Sequence, residues 1–142
     1  LGALVRAARR AGVTIRVASA YRSFAHQREL YRHYVALLGP KKGALRAARP
    51  GHSEHQLGTT LDISNTRGAY DWPARRAWRF GFVISYPPGE RATSCYRNEP
   101  WHVRYVGRDR AARIRESGMV PRAWLWFNVV APSLVPAAGR AV

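Results

Sequence analysis

Apolar positions in the first third of the chain switch between helical and strand spacing. Residues 1–8 carry apolar side chains three or four positions apart, which predicts a helix that ends near Gly12. Residues 15–20 form a short apolar run typical of a buried strand, and residues 30–38 return to helical spacing. The Gly-Pro pair at residues 39–40 is the predicted stop of this second helix.

The rest of the chain continues as short strands separated by helices and turns. Predicted strands cover residues 59–64, 82–86 and 101–106, and predicted helices cover residues 44–48, 73–80 and 108–117. A polar stretch with two glycines, residues 49–58, predicts a loop before the first of these strands. This order predicts an α+β fold with a small central, mainly antiparallel sheet and flanking helices. We expect the residues after 136 to form a frayed tail.

Length and composition limit the class of protein. The 142 residues are enough for one domain, and 46% of them are hydrophobic, which excludes a chain that is disordered throughout. The sequence lacks an apolar run of the ~18 residues that a membrane span needs. Cys95 is the only cysteine, which excludes an intrachain disulfide and a zinc site built on paired cysteines. The chain begins at Leu1 without a charged and apolar leader, so we expect a mature or trimmed product.

The charge balance is strongly positive. The sequence holds 24 Lys and Arg against 8 Asp and Glu, a net charge of +16, and only Lys41 and Lys42 are lysines. A field of this size attracts polyanions whatever the fold is, so a basic nucleic-acid-binding module is one candidate class. Against this class, the arginines are spread along the chain and no helix-turn-helix or zinc-finger spacing is present. We therefore expect no specific nucleic-acid partner.

Histidines and acids concentrate in two short stretches beside predicted strands. In the first stretch, His55 lies in the loop seven positions before Asp62, which lies in the strand. Alternation along that strand turns Asp62 away from the side that its apolar neighbours share. In the second stretch, Glu99 precedes His102 by three positions at the start of another strand. Strand ends are where a rigid scaffold commonly carries functional groups.

A catalytic zinc site needs groups of these types. It takes three nitrogen or oxygen ligands and leaves a position for water, and a further carboxylate accepts a proton from that water. His55, Asp62 and His102 fit as the ligands, with Glu99 as the base. Nickel, cobalt and manganese also accept such a donor set. Each residue alone is more often structural, but three of the eight acids of this basic chain lie in or beside the two stretches.

Three sequence blocks resemble a known family. They are residues 18–23 (ASAYRS), residues 50–62 (PGHSEHQLGTTLD) and residues 99–107 (EPWHVRYVG). Their content and order are similar to the VanY-type D-alanyl-D-alanine carboxypeptidases, which are zinc peptidases of the bacterial cell wall. The resemblance covers residues 1–118. It implies the fold shared by D-Ala-D-Ala peptidases, lysostaphin-like endopeptidases and the hedgehog signalling domain.

The resemblance also implies a role for individual residues. The implied ligands of one zinc ion per chain are His55, Asp62 and His102. Glu99 would be the general base, and Arg22 would be a catalytic residue that reaches the substrate carbonyl. Ser53 would help to bind the terminal carboxylate of the substrate. Gln27 is a looser match to a second substrate-binding position.

The activity implied by the family is zinc-dependent D,D-carboxypeptidase activity on the terminal D-Ala-D-Ala bond of peptidoglycan stem peptides. An endopeptidase of the same fold is an alternative, because nothing in the sequence determines which bond is cut. A non-catalytic binding domain is disfavoured by the intact Glu99. We expect a monomer in the cell envelope, periplasmic or secreted, with stem peptides as its partners. Residues 1–118 would form the peptidase domain and residues 119–142 a C-terminal extension.

Overall fold

Helices and short strands alternate along the chain, which the computed structural model describes over residues 1–64 and 69–131. The helices are α1 (Gly2–Arg10), α2 (Phe24–Arg46), α3 (Asp71–Arg76), α4 (Arg91–Ser94), α5 (Arg108–Ser117) and α6 (Pro121–Leu125). The strands are β1 (Val17–Ser19), β2 (Thr60–Ile63), β3 (Phe82–Ile84) and β4 (His102–Tyr105). Two 3-10 turns cover Glu54–Leu57 and Ala77–Phe80, and a π-helical turn covers Trp126–Val130.

The strands pair into one antiparallel sheet in the order β1-β2-β4-β3. The central pair, β2 and β4, sets Asp62 opposite His102. On the other side of β2, Ser19 lies opposite Asp62. The predicted α+β fold with a small antiparallel sheet is confirmed. The register also brings together two of the predicted metal ligands, which come from different sequence blocks.

The main apolar core lies between α1 and one face of the sheet. Leu4 and Ala8 of α1 are buried in it together with Leu61 and Ile63 of β2. Alternation predicted that Leu61 and Ile63 would share the core side, and both are buried there. Full burial of each large aliphatic side chain contributes about 1.5–3 kcal/mol. This packing anchors β2 through Leu61 and Ile63. Asp62, which lies between them, is on the face of the strand opposite to the core.

A second, smaller core lies under the C-terminal helices. Its buried members are Val83, Val106, Ala111, Ile114 and Trp124. Trp124 comes from α6, a helix that the apolar pattern did not predict, although Pro121 in its first turn is a common helix-start signal. The division of the chain at residue 118 stays a prediction. The frayed tail predicted after residue 136 lies outside the described residues.

The break predicted at the Gly-Pro pair of residues 39–40 is present, although a second helical part follows it directly within α2. Gly39 adopts φ 78° and ψ 165°, which interrupts the helix, but the chain then resumes helical geometry and continues to Arg46. Pro40 causes no conflict because it stands at the start of the resumed part, where its missing N–H has no helical partner to lose. The helical turn predicted over residues 44–48 is the end of this resumed part.

Gly43 allows the resumed part of α2 to fold back closely on the first part. A Cβ atom at Gly43 would lie 2.6 Å from Val35 Cα and 2.7 Å from the Tyr34 carbonyl oxygen. Because both are backbone atoms, Gly43→Ala is expected to destabilise the fold by about 1–3 kcal/mol, despite the better helix propensity of alanine. Urea unfolding measures this loss.

Gly2→Ala is the matched control for this substitution. A Cβ atom at Gly2 would meet only the flexible end of the Arg6 side chain, at 3.2 Å. Its stability should therefore stay within about 0.5 kcal/mol of the parent chain. Equal stabilities of Gly43→Ala and Gly2→Ala would contradict the close packing within α2.

The helices predicted over residues 73–80 and 108–117 agree with the structure to within a few residues. The helix predicted over residues 73–80 begins at Asp71 and changes to 3-10 geometry at Ala77. The helix predicted over residues 108–117 is α5 without change. Within residues 1–64 and 69–131, no helix has both the length and the apolar character that a membrane crossing requires.

Candidate metal centre

Three structural elements bring His55, Asp62 and His102 into one cluster. His55 lies in the 3-10 turn before β2, Asp62 lies in β2, and His102 begins β4. One potential ligand atom from each residue lies within 4.8 Å of the other two. The His55 and His102 rings are 5.0 Å apart at an interplanar angle of 89°. The structure thus assembles the three residues that the sequence predicted as ligands.

Asp62 lies between the two imidazoles. His55 Nε2 is 3.3 Å from Asp62 Oδ2, and His102 Nδ1 is 3.3 Å from Asp62 Oδ1. Burial alone would raise the pKa of Asp62, but the two neighbouring histidines hold it well below its usual range. Asp62 is therefore an ionised carboxylate at neutral pH, which is the form that binds a metal ion.

The hydrogen bond of His55 determines which of its ring nitrogens faces Asp62. His55 Nδ1 lies 2.7 Å from the carbonyl oxygen of Ala20, just after β1. A carbonyl only accepts hydrogen bonds, so Nδ1 carries the hydrogen and the lone pair is on Nε2. His55 is 3% exposed. The ring is therefore held with its unprotonated nitrogen towards the cluster.

His102 is held from the opposite side of its ring. Its Nε2 lies 3.0 Å from Glu54 Oε2, while its Nδ1 faces Asp62. Burial opposes a positive charge on His102, but the carboxylates of Asp62 and Glu54 raise its pKa to about 9. The electrostatic environment of the ring thus favours a cation at this position.

The cluster fits a divalent metal ion. Asp62 Oδ1 is buried and has no hydrogen-bond partner among the described residues. The potential ligand atoms of the three residues lie within 4.8 Å of one another, and a cation would stabilise such a group of acceptors. Two imidazole nitrogens and one carboxylate oxygen are the donor set of catalytic zinc sites that keep one position for water.

Glu99 lies beside the three residues of the cluster. Its Oε2 is 3.8 Å from His102 Nδ1. Its backbone N–H donates to the Tyr86 carbonyl at 3.0 Å, which fixes the loop before β4. Burial raises the pKa of the Glu99 carboxyl above its usual value. A carboxylate with a raised pKa is a stronger base, which agrees with the role that the sequence predicted for Glu99.

Arg22 is directed towards the site by two side chains. Its Nη1 donates to Gln27 Oε1 at 3.0 Å and its Nη2 donates to Ser19 Oγ at 3.3 Å. Its backbone N–H donates to the His55 carbonyl oxygen at 3.2 Å, which links the first two sequence blocks. Arg22 thereby lines the same cavity as His55.

Gln27 has a different location from the one expected of a substrate-binding residue. It is fully buried, and its Nε2 donates to the Ala48 carbonyl at 2.7 Å while its Oε1 accepts from Arg22. Gln27 therefore lies behind Arg22 rather than in the wall of the cavity. Ser53, the other predicted substrate-binding residue, does line the cavity.

A cavity of about 330 Å³ opens over the cluster. Its walls contain all of the predicted site residues except Gln27, together with Tyr34, Arg46, Glu54, Tyr86, Tyr96 and Trp101. This volume is typical of a small-ligand site. The aromatic rings and the exposed guanidinium of Arg46 give the cavity surfaces for both apolar and anionic parts of a ligand.

Glu54 is the residue of this site that the sequence did not assign. It was counted among the acids near the two stretches, and it is adjacent to His55, but nothing local links it to His102. The two residues are 48 positions apart, and the contact arises only because the 3-10 turn lies against β4. The only feature of the sequence that pointed to Glu54 was its position directly before His55.

The structure is a small α+β domain in which a His/Asp/His cluster of the donor types that hold a metal ion lies beside a further carboxylate. Residues 1–108 match the family model of the VanY D-alanyl-D-alanine carboxypeptidases. The chain belongs to that family.

Comparison with individual proteins agrees with this assignment. The chain is 35% identical over 137 residues to a D-alanyl-D-alanine carboxypeptidase of Enterococcus faecalis, covering 86% of the chain and 51% of that protein. It spans about half the length of such curated relatives.

Two solved structures are similar over most of the chain. One is a zinc(II) complex of a variant of the vancomycin-resistance D,D-pentapeptidase VanY, at 35% identity and a TM-score of 0.80, covering 87% of this chain and 78% of that one. The other is VanYB in complex with D-alanine-D-alanine, at 36% identity and a TM-score of 0.80, covering 87% and 77%. The fold expected from the sequence resemblance is therefore confirmed.

Proposed function

We propose that this chain is a zinc-dependent D,D-carboxypeptidase that removes the terminal D-alanine from peptidoglycan stem peptides ending in D-Ala-D-Ala. The observation that carries the proposal is the His55, Asp62 and His102 cluster at the floor of a cavity that also holds Glu99 and Arg22. The similarity to a zinc-bound VanY and to VanYB bound to D-alanine-D-alanine supports both the metal and the substrate.

In this proposal the zinc ligands are His55 Nε2, His102 Nδ1 and the Asp62 carboxylate. Bound zinc supplies a Lewis acid that activates water and polarises the scissile carbonyl. Ser19, Gln27 and the Ala20 carbonyl support the side chains that surround the ion. Rigid support of this kind is what keeps a catalytic site within the small tolerances that chemistry requires.

Glu99 acts as the proton carrier of the reaction. It accepts a proton from the attacking water as the new C–O bond forms at the carbonyl carbon of the penultimate D-alanine. It then returns a proton to the amide nitrogen as the C–N bond breaks, so that terminal D-alanine leaves with a neutral or protonated amine. The position of Glu99 close to the ligands without belonging to their cluster suits this role.

Arg22 stabilises the negative charge that develops on the carbonyl oxygen. An arginine side chain carries a charged planar fork of donors, and that of Arg22 has donors left over after its contacts with Ser19 and Gln27. Gln27 in this account orients Arg22, and Ser53 in the cavity wall contacts the terminal carboxylate of the substrate. The positive field of the chain also attracts such a carboxylate.

The role of Arg22 is tested by Arg22→Lys. Lysine keeps the charge but loses the planar fork that reaches Gln27, Ser19 and the substrate together. We expect kcat to fall by about 100-fold or more, as for the loss of an oxyanion donor, with zinc content unchanged. Arg28→Lys, on the exposed part of α2, should leave kcat unchanged. A normal kcat for Arg22→Lys would remove Arg22 from the reaction.

The bond that is cut distinguishes the two activities of this fold. The zinc-loaded chain is incubated with a stem pentapeptide ending in D-Ala-D-Ala and, separately, with a cross-linked stem-peptide dimer, and the products are identified by mass. Loss of one alanine from the pentapeptide supports the carboxypeptidase proposal. Cleavage of the dimer into monomers, with no loss of alanine from the pentapeptide in the other incubation, would show an endopeptidase.

We further propose that the chain acts as a monomer in the cell envelope.

A further inference from the structure

We propose that Glu54 is a positioning residue that fixes the tautomer of His102, so that His102 binds the metal through Nδ1. This inference rests on the proposed zinc-dependent function. Glu54 and His55 are neighbours in one 3-10 turn. The same turn would thus provide one ligand directly and orient a second ligand, which comes from β4.

The Glu54 carboxylate is held by three donors. Oε2 accepts from the Ser85 hydroxyl at 2.6 Å and lies 3.0 Å from His102 Nε2. Oε1 accepts from Arg104 Nη1 at 2.7 Å. The side chain is only 15% exposed. With both oxygens engaged in this way, the carboxylate cannot rotate without breaking at least one charge-assisted hydrogen bond.

These donors are positioned by the sheet itself. Arg104 follows His102 by two residues in β4, so both side chains emerge on the same face. Ser85 directly follows β3, and its backbone N–H is 3.4 Å from the His102 carbonyl oxygen. The support of Glu54 therefore comes from β4, which carries His102, and from the end of its neighbour β3.

An ionised carboxylate can only accept hydrogen bonds, so its contact with His102 requires a hydrogen on Nε2. A neutral imidazole with its hydrogen on Nε2 has its lone pair on Nδ1, the atom that faces Asp62 Oδ1 at 3.3 Å. His55 has the opposite arrangement, since its Nδ1 is bonded to a backbone carbonyl. The two histidines thus turn different ring nitrogens towards Asp62, Nε2 of His55 and Nδ1 of His102. In each ring, the hydrogen-bond partner of the other nitrogen determines this choice.

A carboxylate partner also makes the imidazole a better metal ligand. Removal of such a partner typically lowers metal affinity by about 10- to 100-fold. Glu54→Gln keeps the shape of the side chain but removes its charge. Its amide NH₂ also replaces one acceptor oxygen, so that one of the present donors loses its acceptor. We therefore expect zinc affinity of Glu54→Gln, measured by competition with a chelator, to fall by about 10- to 100-fold.

Glu116→Gln is the matched control, because Glu116 is an exposed residue of α5. Its zinc affinity should equal that of the parent chain. Equal affinities of Glu54→Gln and Glu116→Gln would overturn the proposal. This experiment measures zinc affinity and not hydrolysis. A parent chain that binds zinc but does not hydrolyse stem peptides would therefore count against the proposed activity and not against the role of Glu54.

A measurement on the parent chain keeps the proposal testable if Glu54→Gln does not fold. The nitrogen NMR spectrum of the histidine side chains in the zinc-loaded chain reports which nitrogen of each ring binds the ion. The proposal predicts Nδ1 coordination with a retained Nε2 hydrogen for His102, and Nε2 coordination for His55. Coordination of His102 through Nε2 would overturn it.

Discussion

Asp62→Asn is expected to abolish stable zinc binding and, with it, peptide hydrolysis. Asparagine has the shape of aspartate, but it replaces the only anionic donor of the cluster with a neutral amide. The two histidines would then share one ion without charge compensation. The loss of zinc affinity should exceed the ~10- to 100-fold that loss of a supporting residue costs. Zinc content after dialysis, measured by elemental analysis, and D-alanine release test this prediction.

Asp109→Asn provides the matched control for Asp62→Asn. Asp109 is an exposed residue in the first turn of α5. This variant should retain one zinc ion per chain and full activity. A zinc-loaded, active Asp62→Asn variant would contradict the assignment of the cluster as the metal centre.

Glu99→Gln has the second-largest expected effect, and it acts on the rate alone. Glutamine occupies the same space but cannot accept a proton from water at neutral pH. General acid–base groups contribute about 10²- to 10⁴-fold to the rate, and we expect kcat to fall within this range. KM and zinc content should change little, because Glu99 lies outside the cluster of ligands.

The zinc content of Glu99→Gln separates two roles for this carboxylate. Retention of zinc with a loss of kcat is the result expected of a base. Loss of zinc to the degree expected of Asp62→Asn would instead make Glu99 a ligand, and a normal kcat would exclude it from proton transfer. Glu116→Gln again serves as the control that should behave as the parent chain does.

The surplus of positive charge takes on a more specific meaning once the site is known. Three of the eight acids of the chain, Glu54, Asp62 and Glu99, lie within one cavity. Their negative charge favours a cation at the cluster, while the arginines elsewhere favour an anionic ligand approaching from outside. A metal centre that binds peptides with a free carboxylate needs both properties.

Much of the site could be predicted because its parts are local in sequence. The alternation of β2 placed Leu61 and Ile63 in the core and Asp62 on the other face, and both leucine and isoleucine are buried there. The spacing of histidines and acids beside strands then indicated a donor set for zinc. The alternation is local to β2, whereas the grouping of His102 with Asp62 is completed by the pairing of β2 with β4.

The parts that were missed depend on contacts between distant segments. Glu54 meets His102 across 48 positions, and only the β2–β4 register brings them together. The break in α2 at Gly39 was predicted, but the close approach of Gly43 to Val35 beyond it is not recorded in a pattern of apolar positions. The burial of Gln27 against Arg22 likewise follows from packing that the sequence does not record, and its expected role in substrate binding stays a prediction.

The most direct test of the account is D-alanine release from a stem pentapeptide ending in D-Ala-D-Ala, measured before chelation, after chelation and after zinc is added back. We expect one D-alanine per tetrapeptide formed, loss of the activity on removal of the metal, and its return with about one zinc ion per chain. Release of D-alanine that continues after complete removal of the metal would contradict it.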